Sequence, residues 1–499
     1  MAFPAENIEL EDGAAFRRGD GVATNEDAGI ASSSESRAFS SGQSSVVDLA
    51  FGNEGPESSL PPADRGLQAW FFLLAAFVVE AILWSFPFAY GVFLESYLSD
   101  PTYTLQKNAT SLLPLIGTVS SGIMYCAGAI VYPVIVKFPR VRRPAVWSGA
   151  TLCATSLFGA SFTTQIPTLF ALQGVVYAIG GSLLYFPTIF YMNEWFVRLR
   201  GTATGIMFAG TAAGGLILPL AFPRIIAKYG APRTLRYFAV AMAAMLLPVL
   251  PYIKGRLPAR VYGPAPRSSN RDWLRNPSFW LYTVVNLIQG FAYFMPIVWL
   301  PTFASDLSLD SLQSAAVLAA LNGEAFFFLN NTKKTDISAI QVLLSSVACS
   351  WATSDHFNAW LLALSSLVAT ALATFVLWGV LGNTFAGLIA FGIAYGIVAG
   401  SFSSLFLSFA RMYAKEDPTN STTLFGYISL GRGIGNVLST PIATALTGTG
   451  SHLMKGATGF AVGGGRFESM ILYTGTCFTG AAGLAVLGWR SEMWALRRQ

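Results

Sequence analysis

The stretch Tyr185-Phe186-Pro187-Thr188-Ile189-Phe190-Tyr191-Met192-Asn193-Glu194-Trp195-Phe196-Val197-Arg198-Leu199-Arg200-Gly201-Thr202-Ala203-Thr204-Gly205-Ile206-Met207-Phe208-Ala209-Gly210-Thr211-Ala212-Ala213-Gly214-Gly215 decides how the chain is read. An apolar run ends near Met192, a short cationic turn follows, and a second apolar run studded with glycine begins. Two membrane helices joined by a tight turn account for the pattern. Arg198 and Arg200 mark that turn as cytosolic, because Lys and Arg are retained on the cytosolic side during insertion. Gly201, Gly205, Gly210 and Gly214 recur in pairs at four-residue spacing, which lets a neighbouring backbone approach closely in lipid, where apolar burial gives no drive between helices. Helix packing is the simplest meaning of these glycines.

Composition extends the reading to the whole chain. Its 499 residues are 53% apolar and 11% charged, with a mean hydropathy of +0.52, far more apolar surface than one soluble core can bury. Repeated apolar windows of about 20 residues make it an all-α polytopic membrane protein. The net charge of +5 is small and sits mostly in short loops, so the lipid bilayer is the expected partner and a nucleic acid is not. Cys126, Cys153, Cys349 and Cys477 lie in or beside apolar runs without CxxC spacing, which argues against a zinc site or a disulfide framework.

Residues 1–66 are rich in Ser, Gly, Glu and Asp and read as a disordered cytosolic tail, with Ser32 to Ser36 and Ser40 to Ser45 available for phosphorylation. An N-terminal six-helix bundle is expected over 67–253, with helices near Trp70–Phe93, Ser111–Val136, Pro144–Phe162, Thr168–Glu194, Thr202–Phe222 and Tyr237–Ile253. A cytosolic central loop follows over 254–276, and a C-terminal bundle over 277–489. Its helices are expected near Phe279–Leu300, Ala359–Leu381, Thr384–Phe409, Leu424–Leu446 and Ser469–Trp489, with helix eight beginning at Leu312 and a cytosolic tail over 490–499. Lys137, Arg140, Arg142 and Arg143 after helix two, and Lys254 and Arg256 after helix six, agree with cytosolic loops and cytosolic termini. Arg224, Lys228, Arg233 and Arg236 disobey, lying on the expected outer side between helices five and six. Trp70, Trp280, Trp299, Trp360, Trp378 and Trp489 fall at span ends, where amphipathic rings favour the interface.

Two bundles of this kind are what an alternating-access carrier needs, one rocking on the other around a central site. Trp195-Phe196-Val197-Arg198-Leu199-Arg200-Gly201 through Gly205 and Gly210 resembles the helix-four-to-five signature of the monocarboxylate porters of the major facilitator superfamily. Helix one, from Gln68-Ala69-Trp70 to Pro87-Phe88-Ala89-Tyr90-Gly91, resembles their fungal branch. The resemblance implies the major facilitator fold, with two six-helix bundles and solute transport. Departures bear on substrate: Asp64-Arg65-Gly66-Leu67 stands where animal members carry Asp-Gly-Gly-Trp, and Phe88 replaces their lysine after Pro87, so lactate or pyruvate specificity does not carry over. A second departure is Glu324 to Trp351, which interrupts helix eight, the family's place for a substrate arginine. Asn330, Asn331, Lys333, Lys334 and Asp336 break any apolar span there, as expected of a retained intron or a wrong gene model; a real re-entrant segment is the alternative.

Charged groups inside a membrane cost roughly 2.5 to 3.5 kcal/mol on insertion scales, so those present are usually paired or functional. Glu80, in mid helix one with Trp84, Pro87 and Gly91 on its face, is the candidate proton acceptor, since burial disfavours a charged carboxylate; a Glu hydrogen-bonded to a neighbouring helix is the alternative. Arg432, with Asn436 one turn on, can bind a carboxylate bidentately; alternatively it lies near the cytosolic end and snorkels, or anchors the two bundles. Asn286, Gln289 and Tyr293 on helix seven, Gln173 and Tyr177 on helix four, and Tyr395 on helix ten are further candidates for substrate binding. There is no GxxxxGK[ST] loop and no HExxH, and His356 and His452 are the chain's two imidazoles, so no enzyme, cofactor or metal chemistry is expected. The reading is a secondary transporter of a small organic solute, a monocarboxylate or related anion moved with protons, in the plasma membrane or alternatively the vacuolar membrane. A non-transporting nutrient sensor on the same fold is the alternative function.

Overall fold

A computed structural model describes residues 61–257, 272–322, 358–400, 402–414, 418–447 and 458–496. No strand occurs among the described residues, and eight of their helices are long and apolar enough to cross a membrane. The first half contains α1 (Leu67–Ser99), α2 (Ala109–Lys137), α3 (Arg142–Ala160), α4 (Ile166–Trp195), α5 (Arg200–Tyr229) and α6 (Ala231–Tyr252). The second contains α7 (Pro277–Asp306), α8 (Ser311–Asn322), α9 (Ala359–Val380), α10 (Phe385–Gly400, continued by Leu405–Ala414), α11 (Pro418–Leu446) and α12 (Glu468–Leu496). Local chemistry starts several of them: Pro277 follows the Asn276 cap, whose side chain accepts from Ser278 N, and Asn358 likewise accepts from Trp360 N and Leu361 N.

Glycine governs which helices pair. A Cβ on Gly214 would come within 2.0 Å of the Ala81 carbonyl oxygen, and one on Gly210 within 2.4 Å of the Phe77 carbonyl oxygen, so α5 lies directly against α1. In the second half Gly290 and Gly435 bring α7 and α11 together in the same way. Between the halves, Gly122 and Gly128 of α2 face Gly433 and Gly426 of α11. On the other side of the bundle Gly215 of α5 abuts Asn322 of α8, whose Nδ2 donates to the Phe88 carbonyl at 3.0 Å. With little apolar drive between helices in lipid, this close backbone approach is what holds the bundle.

Several expectations need correction. The stretch from Phe222 to Tyr237 is not a loop: α5 and α6 meet at one residue, Gly230, at φ 80°, and the four cations occupy helix ends. Arg236 there lies over the Phe162 ring at 4.0 Å and donates to Ser161 Oγ. Trp299, Trp360 and Trp378 are buried by neighbouring helices, whereas Trp70 and Trp280 are exposed as expected of interface rings. Pro61 and Asp64, before residue 67, are bonded to the first half, and α12 runs on past Trp489 to Leu496. The phosphorylatable serines, Cys349, most of the central loop and the stretch 324–351 lie outside the described residues.

Candidate functional site

Glu80 lies thirteen residues after the start of α1 and Arg432 fourteen after the start of α11, or about 20 Å along each helix at 1.5 Å per residue. Arg432 is wholly buried, so it neither snorkels nor reaches a headgroup. Its Nη1 donates to Gln289 Oε1, and its guanidinium stacks 3.8 Å from the Tyr293 ring, with Tyr125 and Phe406 each at 5.8 Å. Cation–π attraction strengthens when the cation is desolvated, which compensates part of the burial. Yet Arg432 Nε and Nη2, Gln289 Nε2 and both side-chain polar atoms of Asn436 have no hydrogen-bond partner. Asn286 is committed differently: its Nδ2 donates to the Ile428 carbonyl at 2.7 Å and ties α7 to α11.

Across the molecule, Glu80 is 2% exposed, and its Oε1 accepts from Thr211 Oγ1 of α5 at 3.1 Å. Its Oε2 has no partner. Trp84, one turn on, packs 4.8 Å from Tyr125 and 5.4 Å from Tyr185. Tyr125 thereby stands between the two charges, close enough to feel both Glu80 and Arg432, and reaches Ser403 with its hydroxyl. Neither Tyr125 nor Tyr185 is among the binding residues expected from sequence; a tyrosine pair on α2 and α4 gives no periodic signal that it meets another half.

The other expected residues are distributed over two roles. Tyr395 donates to the Tyr293 carbonyl at 2.9 Å and stacks beside that ring, so it positions the wall of Arg432. Gln173 donates to Tyr97 Oη at 3.1 Å and Tyr177 to the Leu83 carbonyl at 2.7 Å. Both therefore fasten α4 to α1 inside the first half. The turn between α4 and α5 is structural as well: Trp195 Nε1 donates to the Lys254 carbonyl, and Phe196 packs edge-on against Trp70. Asp64 accepts from the backbone amides of Val197, Arg198 and Leu199 at 2.9 to 3.0 Å. Burial pushes the Asp64 carboxyl up, but those three amides and the Arg198 charge outweigh it and hold it below the usual aspartate value. Of the signature residues, Gly205 and Gly210 are buried in α5, and Arg200 opens that helix. Gly201 follows it.

Residues 62–331 match the Major Facilitator Superfamily, more than half of the chain. The chain belongs to that superfamily. Among relatives, the MFS-type transporter pytF of Aspergillus terreus is 26% identical over 281 residues, 56% of this chain and 93% of that protein. The Fujikurins efflux protein of Gibberella fujikuroi is 25% identical over 331 residues, 66% of this chain and 69% of the relative. The MFS-type transporter pynF of Aspergillus niger is 23% identical over 267 residues, 54% of this chain, and the match spans 60% of that relative's length. Among solved structures, a D-xylose-proton symporter superposes with a TM-score of 0.61 at 15% identity, over 83% of this chain and 97% of the other. The nucleoside transporter NupG gives 0.55 at 14% identity, over 85% and 99%. This superfamily member is thus an integral, multi-pass membrane protein that transports small solutes, and its relatives are transporters and not enzymes. The family match ends at residue 331, beyond the last described residue of α8, Asn322.

Proposed function

We propose that this superfamily member is a monocarboxylate-type porter that moves a small organic anion together with protons, by alternating access of its two halves. The observation that carries the reading is Arg432: a fully buried guanidinium with Nε and Nη2 unbonded, beside the unbonded Nε2 of Gln289 and the unbonded side-chain amide of Asn436. A carboxylate accepts two parallel bonds from such a fork and returns the hydrogen bonds that burial removed. Glu80, with Oε2 unbonded, is the proton carrier on the opposite half. Asn286, Tyr293 and Tyr395 hold the arginine's surroundings in shape. The turn with Arg198 and Arg200 faces the cytosol on this reading, as do both termini, and the plasma membrane is the expected location.

A second reading has one specific support. A relative is named the Fujikurins efflux protein, which favours export of a small molecule of another class. Reconstituted vesicles separate these readings and the sensor alternative: uptake of radiolabelled short-chain acids driven by an imposed pH gradient is expected, with Arg432→Gln abolishing uptake. Glu80→Gln is expected to abolish proton-driven accumulation while leaving solute exchange. Ligand binding without accumulation makes the chain a sensor; an unchanged pH dependence in Glu80→Gln rejects the proton role.

A further inference from the structure

A second cationic centre lies away from Arg432, where the halves meet at the face that carries the α4–α5 turn. Arg200, the first residue of α5, has its Nε and Nη2 buried and without hydrogen-bond partners. Arg411, from the second half, is close enough for the two charges to act on each other. Tyr132 of α2 is wholly buried, feels the charge of Arg200, and its hydroxyl also lacks a partner. Its ring is held edge-on between Phe186 at 4.9 Å and Phe425 of α11 at 6.2 Å. Arg200, Tyr132 and Phe425 line a small cleft, partly open to solvent, together with Asn193, Thr204 and Thr422 and the apolar side chains of Ile189, Met192, Met207 and Phe208. The ion pairs among the described residues, Arg142 with Glu194 and Arg466 with Asp306, do not include Arg200.

A buried guanidinium with unbonded nitrogens is unfavourable unless an anion joins it. Arginine's planar fork suits an oxyanion, carboxylate or phosphate, and a phenol is a further donor. We propose that Arg200 and Tyr132 form a second oxyanion site at this face, whose occupant bridges the two halves and holds the face closed. The inference is independent of which solute Arg432 takes. The occupant's source is either a free carboxylate or phosphate or the phosphate of an anionic lipid headgroup.

The test uses the full chain in nanodiscs of phosphatidylcholine, titrated with inorganic phosphate against chloride at constant ionic strength, with the melting temperature as readout. Phosphate is expected to raise it saturably, and Arg200→Gln to weaken the apparent affinity about tenfold or more, the loss of one charge-assisted contact. Tyr132→Phe keeps the ring packing, is expected to weaken it roughly fivefold, and serves if Arg200→Gln does not fold. If a headgroup is the occupant, discs containing phosphatidylserine melt higher, respond no further to phosphate, and lose that advantage in Arg200→Gln. The proposal is overturned if neither phosphate nor phosphatidylserine stabilises the wild type, if only an adventitious, non-saturating salt effect appears, or if Arg200→Gln or Tyr132→Phe responds as the wild type does.

Discussion

Replacing Gly214 with alanine tests the central architecture through one methyl group. The added Cβ would lie 2.0 Å from the Ala81 carbonyl oxygen and 2.9 Å from Ser85 Cβ, against 3.4 Å for ordinary contact. Backbone atoms cannot swing aside, so α5 must retreat from α1 by about 1.4 Å at that level. The Glu80–Thr211 bond one turn away is 3.1 Å long and does not survive a shift of that size, since a separation beyond ~3.5 Å no longer counts as a hydrogen bond. Overpacking costs about 1 to 3 kcal/mol, and the orphaned buried carboxyl about 1 to 3 more. A loss of roughly 2 kcal/mol or more corresponds to about 5 °C for a unit of 150–250 residues. Melting of a fluorescent-protein fusion, followed by size-exclusion chromatography after heating, reads the change, and vesicle uptake reads the consequence for Glu80. A methyl added at Gly480 or Gly483 on α12 would meet nothing within 4 Å, so alanine there is the internal control. It is expected to be neutral or to stabilise by up to about 1 kcal/mol through helix propensity. Equal melting of Gly214→Ala and wild type, or equal damage from Gly480→Ala, refutes the reasoning.

Other consequences can be measured on the same preparation. Asp64→Asn removes the charge that holds three turn amides, and a cap of this kind contributes about 0.5 to 2 kcal/mol. Because the folded Asp64 carboxyl titrates below its unfolded value, its stabilisation is present above the ordinary value of 3.8 and is lost as pH falls through the folded one. The melting gap between Asp64→Asn and wild type is therefore expected to be open at neutral pH and to close in acid; a pH-independent gap contradicts this. The Arg142–Glu194 pair is 3.5 Å apart with side chains 2% and 6% exposed, so Arg142→Met alone is expected to cost about 3 to 5 kcal/mol. Arg142→Met with Glu194→Leu should recover much of that loss, and additive losses in the double variant would rule out pairing as the cause. Sequencing the transcript across the codons for Ala320 to Ala359 is expected to find messages lacking 324–351; an intact insert in most messages ends the retained-intron explanation.

The fold was legible because two signals sufficed for it, apolar length and the sidedness of basic loops. Both fail where a connection is very short. Gly230 alone turns α5 into α6, and no composition shift marks a single residue, so four helix-end cations read as a loop. Arg432 was ambiguous for a related reason. Counted from Leu424 it lies nearer the start of α11, but the helix starts at Pro418, which carries the arginine well into the bundle. Tyr125 was illegible because its importance lies in contacts with Trp84, Ser403 and Arg432, which join three helices besides its own. Asp64 was visible as the first residue of a stretch that departs from a family motif at Arg65 and Leu67, and its grip on the α4–α5 turn emerges only in three dimensions.

The two halves repeat one device. Glu80 on the first helix of the first half bonds Thr211 on the fifth, and Gln289 on the first helix of the second half bonds Arg432 on the fifth. In each half the tie runs beside glycines that bring those two helices into contact. The repeat therefore supplies the same scaffold twice, and the sequence has put a carboxyl on one copy and a guanidinium on the other. The rings of Trp84 and Tyr125 lie between them, and no ion pair among the described residues joins them. Such an arrangement leaves two separate electrostatic penalties in a medium where each uncompensated charge is costly. An anion on Arg432 relieves one, and a proton on Glu80 relieves the other. On the reading proposed above, a carboxylate with its proton neutralises both at once, while either alone leaves one buried charge to be carried through the movement. That difference is a physical reason for the two halves to rock readily when both are bound, and so for solute and proton to travel together.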